Sequence, residues 1–299
     1  MNTPVRLLLA AAAIGVLGAS PVRADGDSPC PYPIRIILID KATIDALGPL
    51  PWSRERFAKL VRIVDSGGAR AVALAFHFRD PGPGKGDDAL AAAMKKSGHV
   101  FISTGSTEAA ASWEPDGTWW GRMALNAEGV PPKKIIEGKY ITLPVKKLAD
   151  AAAGIGATDR MVDKNKQLGS LPLMIKRGNW FIPSLGFRLF LHLKGLKNVP
   201  LAFKKGKQII IERTKINLDS YGSALVNITP PGSAYPTHGF SAVLKGKVAP
   251  ASFKNAVVLI SMQDPNTDIA TTTGPKNSLE LVADQLVTLY GYMKEGGGK

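Results

Sequence analysis

Two short apolar runs separated by a single amphipathic segment constrain this chain's fold more than anything else in it. IRIILID at 34–40 is rich in isoleucine and bounded by Pro33 and an acidic end, and ARAVALAFHF at 69–78 is a second apolar run. Both read as buried strands. Between them, PWSRERFAKLVRIVDSGG places Phe57, Leu60, Val61 and Val64 on one helical face, and Gly67-Gly68 ends the pattern. Ser53 is the expected N-cap, with Arg56 where a capping box would have Glu or Gln. Strand, helix and strand of these lengths predict a β-α-β unit with parallel neighbouring strands.

The α/β character continues. A Pro- and Gly-rich loop from Asp80 to Asp88 leads into a helix through ALAAAMKKSG, and HVFISTG at 99–105 supplies a third strand. Trp113, Trp119 and Trp120 fall in a turn-rich excursion expected to pack over the scaffold edge, with an aromatic ligand cage as the sharper reading. LPLMIKRGNWFIPSLGFRLFLHL at 171–193 reads as a strand or hairpin feeding a helix that begins near Pro183-Ser184. QIIIE at 208–212, SALVNI at 223–228 and AVVLIS at 256–261 read as strands, FSAVLKGKV as a short helix and turn, and SLELVADQLVTLYGYM as a C-terminal amphipathic helix. The fold class expected is a layered α/β scaffold around a mixed, partly parallel sheet, with an elaborated irregular middle in one domain.

The first residues read as an export signal. Arg6 gives a positive end, Leu7 to Leu17 is apolar or small, and Val22-Arg23-Ala24 offers a cleavage site. Cleavage after Ala24 removes Arg6 and Arg23 and no acid, so the formal charge of +14 becomes +12. The expected organisation is a signal peptide at 1–24, a lead at 25–30, the folded domain at 31–292 and a flexible tail at 293–299. No later run approaches the ~18 apolar residues a membrane span needs, so the expected location is the periplasm or extracytoplasmic space, soluble or peripherally associated. A single cysteine, Cys30, excludes an internal disulfide framework.

The ordered series IRIILID, GPLPWSRERFAKLVRIVDSGGARAVALAFHF, DDALAAAM, IPSLGFRLFL and FSAVLKGKVAPASFKNAVVLIS resembles the CHASE2 family, an extracytoplasmic α/β sensory domain. The likeness spans roughly 31–292. It implies a sensing fold of the kind that usually sits outside the membrane ahead of cyclase or kinase output domains. Here the chain is similar to a stand-alone member without transmembrane or output segments. It departs from the family pattern at Ala75, where an Asp is common, at Asn165 to Gly169, and in PKNSLELVADQL, which lacks the late Pro-Gly-x-x-x-His-Ala element. Those departures imply an altered or lost ligand site.

Asp40, at a strand's carboxyl end, and Arg54, near a helix start, are the candidate ligand-binding residues, with Trp52 beside them. Arg54 would offer donors to a carboxylate or phosphate. The alternative is an Asp40–Arg54 ion pair fixing loop geometry, with Trp52 a packing aromatic. Asp87 and Asp88 are expected to cap the following helix. Asp264, Asn266, Thr267 and Asp268 form an oxygen-rich loop better read as Asx turns than as a calcium loop. His77, His99, His192 and His238 show no metal-ligand spacing, and Ser184 does not stand in a GxSxG elbow. No catalytic residue, metal or cofactor is therefore expected, and the chain reads as non-enzymatic.

Basic charge concentrates in the middle. Between 160 and 215 there are 13 Lys and Arg against Asp163 and Glu212 alone. Lys164, Lys166, Lys176, Arg177, Lys204, Lys205 and Lys207 are the candidate partner-binding residues. They suit an envelope protein or membrane complex with an acidic surface, or an anionic lipid or polyanion. Sparse aromatics and export argue against a dedicated nucleic-acid partner. The expected function is an exported binding or accessory protein associating with an envelope protein or complex, and the alternative is a stand-alone small-ligand sensor.

Overall fold

A computed structural model describes residues 28–165, 167–196, 199–232, 235–263 and 268–296. The signal peptide expected at 1–24 lies outside the described residues. The main sheet has six strands: β1 (Ile34–Ile39), β2 (Ala71–Leu74), β3 (Val100–Thr104), β4 (Gly154–Ala157), β5 (Thr237–Gly239) and β6 (Val257–Met262). Their spatial order is β5-β1-β6-β2-β3-β4, and every neighbouring pair is parallel. The helices are α1 (Lys41–Leu47), α2 (Glu55–Ser66), α3 (Gly86–Ser97), α4 (Gly117–Met123), α5 (Lys146–Ala151), α6 (Leu185–Leu193), α7 (Phe240–Leu244) and α8 (Ser278–Gly296).

The α/β scaffold is the one the sequence predicts, with one change of topology. β1 and β2 are parallel but not neighbours. β6 lies between them, pairing Ile36 with Leu259 on one side and Ala73 with Leu259 on the other. Local pattern sets strand direction through the crossover helix, but a strand arriving from residue 257 leaves no mark near residue 70. The mixed strand directions occur in a second sheet, where Leu201–Lys204 pairs antiparallel with Gln208–Ile211 and parallel with Ala127–Gly129. SALVNI at 223–228 is not a strand; Ser223 makes only an isolated bridge to Pro172.

A parallel sheet covered on both faces needs apolar side chains at every strand position. Ile37, Ile39, Val72, Leu74, Val258 and Ile260 point into one core with Phe57, Leu60, Val61 and Val64 of α2, Leu90 and Met94 of α3, and Phe240 of α7. Ile34, Ile36, Leu38, Ala71, Ala73, Val257 and Leu259 point into the other, with α6, α8 and the inner face of the second sheet. α2 begins at Glu55, one residue beyond the expected start, with Arg54 as its uncapped N-cap and the Ser53 hydroxyl 3.4 Å from the Glu55 amide. α8 runs to Gly296, so the tail expected from 293 is helical as far as it is described.

α6 lies close to β4, where the α carbon of Leu185 would be 2.5 Å from a β carbon at Gly156. Only glycine permits that approach. Ser184 caps α6 by accepting from the Phe187 amide and donates to Gln285 Oε1 at 2.7 Å, tying α6 to α8. Under α8, Lys276 and Asp284 form an ion pair of 2.5 Å with no exposure of either side chain. Asp284 also accepts from the Thr229 hydroxyl at 2.7 Å and from the Tyr235 hydroxyl at 2.8 Å. Removing one member of such a pair strands a buried charge, whereas an apolar replacement of both does not. Asp284→Ala should therefore cost about 3–5 kcal/mol in denaturant unfolding, and Lys276→Met with Asp284→Leu should recover most of it.

Candidate functional site

In an open parallel α/β sheet the loops at the strands' carboxyl ends are where binding groups gather. Asp40 stands at that end of β1, but its carboxylate accepts from the Thr43 amide at 2.7 Å and caps α1. Arg54 does not pair with it. The Arg54 guanidinium donates to Asp87 and to the Asp80 carbonyl, and lies 4.9 Å from the centre of the Phe78 ring. The other Asp87 oxygen accepts from the Gly82 amide at 3.1 Å. Arg54 thus fastens the Pro- and Gly-rich loop to the start of α2. Asp87 and Asp88 sit in the first turn of α3 rather than capping it, and Asp88 pairs with Lys147. Trp52 is buried against Phe240 and donates its indole N–H to the Gly48 carbonyl at 2.8 Å.

The groups collected at the carboxyl ends of β2, β3 and β4 are different ones. Asp159, just past β4, accepts from the Ser106 amide at 3.0 Å and from the Ser106 hydroxyl. His77, past β2, brings its Nε2 to the same corner, beside Gly105. Arg160 follows Asp159 and is half-buried; burial lowers its pKa, opposed by the Asp159 charge. Among the described residues Arg160 makes no hydrogen bond or salt bridge. Ser106 donates to Asp159 directly, so the Ser, His and Asp groups are not arranged as nucleophile, base and orienter. Next to Arg160 a cleft lined by Thr158, Leu171, Pro172, Ser184, Ser278 and Gln285 encloses about 20 Å³. That is room for one water.

Sequence reasoning passed over Asp159 as a site residue and counted Arg160 only as charge. GIGA has low strand propensity and did not read as β4, so the residues after it did not read as a carboxyl end. Once β4 is recognised, the position of Asp159 and Arg160 follows from the rule that located Asp40.

The basic segment divides into three. Lys164 is exposed in the turn between the short strands Met161–Val162 and Leu168–Ser170 that follow Arg160, and Lys166 lies outside the described residues. Lys176 and Arg177 face Glu137 and Glu114 at 3.4 and 2.8 Å. Lys204, Lys205 and Lys207 are exposed at a hairpin tip of the second sheet. Trp119 and Trp120 are buried in edge-to-face contact and pack with Ile155 and Ala157 of β4, as the packing reading expects. Cys30 is buried, and burial pushes its thiol up to about 11, so it stays protonated at neutral pH. Of the Asp264–Asp268 loop only Asp268 is described.

A six-stranded parallel sheet, covered on both faces and gathering charged loops at its carboxyl ends, defines an open, layered α/β domain. The family profile of the CHASE2 domain matches residues 15–283, most of the chain. The chain belongs to the CHASE2 family, whose members are extracytoplasmic sensory domains. No curated protein and no solved structure matches it. Among the described residues no helix is long and apolar enough to cross a membrane.

His99 and His238 give the fold a pH dependence. Burial lowers both pKa values below 6.5, with Asp65 opposing at His99 and Arg35 assisting at His238. The folded state favours the neutral rings, so their stability is complete above the unfolded value and is lost as pH falls through the folded values. The melting temperature should drop as pH falls from 6.5, and His99→Gln should flatten that slope.

Proposed function

We propose that this chain is a non-enzymatic extracytoplasmic binding module, released by cleavage after Ala24, that associates with an envelope protein presenting an acidic surface to the β4 rim. The observation that carries this reading is Arg160, half-buried four residues before exposed Lys164, with no hydrogen-bonded carboxylate of its own among the described residues. Its neighbour Asp159 is held by Ser106. A guanidinium in that state gains most from a carboxylate brought by a partner, which can complete a bidentate pair there.

The small-ligand sensor is the weaker reading. A site for a metabolite typically encloses about 300–1,000 Å³, and the cleft beside Arg160 encloses about 20 Å³. Asp40 and Arg54, the pair first expected to orient such a ligand, are engaged in capping and loop fastening. A shallow charged rim suits contact with a protein surface better than enclosure of a small molecule.

Affinity capture from the native envelope, at low and moderate salt, tests the proposal. The chain from Asp25 onward should retain one partner reproducibly, and Arg160→Glu with Lys164→Glu should reduce that capture at least about tenfold. The control Lys95→Glu with Lys96→Glu, on α3, should leave it unchanged. Equal capture by both variants would contradict the assignment, as would a clear thermal shift with a metabolite that Arg160→Glu abolishes without affecting the partner.

A further inference from the structure

A second charged surface stands apart from the rim in the chain. The hairpin joining Leu201–Lys204 to Gln208–Ile211 turns through Lys205 and Gly206, both at positive φ. The Gly206 amide donates to the Val130 carbonyl at 2.9 Å, which brings the Val130–Lys134 segment against the turn. The Lys134 amide donates to the Ser220 carbonyl at 2.7 Å, and the Leu218 amide to the Lys207 carbonyl at 2.7 Å, so a third segment joins them. The topology thus assembles Lys133, Lys134, Lys204, Lys205 and Lys207, all exposed, from separate stretches of sequence. Among the described residues none of these lysines makes a salt bridge with an acid. Across 127–134 and 201–221 the acids are Glu128, Glu212 and Asp219; Glu212 lies in the turn at the other end of the Gln208–Ile211 strand, and Asp219 is occupied by the Tyr221 and Ser223 amides at 2.8 and 2.9 Å.

Val130 lies within this group of lysines and is 66% exposed, the highest value among the exposed large hydrophobic residues described. Tyr221 is partly exposed, with the Lys134 ammonium 5.5 Å from its ring centre. An apolar side chain and an amphipathic ring, set among long flexible cations, match the boundary between headgroups and acyl chains. Lysine rather than arginine also suits a fluid anionic surface, because its charge needs no fixed bidentate acceptor.

We propose that this lysine lobe docks the protein peripherally on a bilayer containing anionic lipid, with Val130 entering the headgroup region. The lobe holds the chain at the membrane while the separate β4 rim faces its partner. Each lysine near such a surface strengthens binding by about fivefold, and the attraction is screened by salt.

Vesicle co-sedimentation of the chain from Asp25 onward decides the matter. It should bind vesicles containing phosphatidylglycerol, release them as salt rises, and ignore pure phosphatidylcholine. Lys204→Glu, Lys205→Glu and Lys207→Glu together should weaken binding by more than about a hundredfold, and Val130→Glu should weaken it further. These exposed substitutions should leave the melting temperature unchanged. Lys95→Glu with Lys96→Glu should not affect binding, and neither should Arg160→Glu with Lys164→Glu, so failure of the rim assignment and failure of this one are read separately. Equal loss from the α3 control would overturn the proposal. So would retention of polyglutamate by the same lysines without vesicle binding, which would make the lobe a docking surface for an acidic protein.

Discussion

β6 carries the constraint on which the rest of the structure depends. Val257–Met262 pairs with β1 along its whole length and with β2 along four residue pairs, so it joins the two strands of the N-terminal β-α-β unit. Its alternate residues feed opposite cores: Val257 and Leu259 meet α6 and α8, whereas Val258 and Ile260 meet α2, α3 and α7. Without β6 the sheet would divide into β5-β1 and β2-β3-β4, each with unpaired backbone groups along a buried edge. The order of strands, and therefore the loops that meet at the carboxyl-end rim, is settled only when the chain's last quarter is in place. Long-range parallel pairing of this kind makes loop-closure entropy a large part of the cost of folding.

The buried charges serve the same end in different ways. Lys276 and Asp284 neutralise each other beneath α8, with the Thr229 and Tyr235 hydroxyls supplying further bonds to the carboxylate. Arg188 on α6 is almost wholly buried without an acid; it donates to the Ile155 carbonyl at 3.0 Å and to the Met123 carbonyl, and burial lowers its pKa to about 10. Arg54 and Asp87 hold a loop that is too rich in proline and glycine to order itself by a backbone ladder. Arg160 is the contrasting case: it is half-buried beside Asp159 and makes no side-chain hydrogen bond or salt bridge among the described residues.

Much of this architecture is legible in the sequence because local chemistry is enough to specify it. The apolar face of α2, the strand IRIILI, the hairpin before α6 and the cap at Ser184 all follow from periodicity or capping rules applied to a few consecutive residues. What depends on distant pairing is less legible. The insertion of β6 between β1 and β2 has no local signature, and the glycine and alanine of β4 suppress the usual strand signal. The sequence placed Arg54 at a helix start correctly, yet its role turned on Asp87, 33 residues away. The basic residues are close in sequence, which by itself leaves open whether they share a face. In the fold they become a turn lysine, two cations facing glutamates, and a hairpin tip joined by Lys133 and Lys134.

The proposed rim and lysine lobe would make this CHASE2 domain one that works by contact rather than by enclosing a ligand. The most direct measurement of that claim is photocrosslinking in the native envelope from a probe placed at Lys164, compared with the same probe at Lys95. A contact rim predicts one discrete adduct from position 164 that disappears with Arg160→Glu, and none from position 95. No adduct from 164, or the same products from both positions, would contradict it.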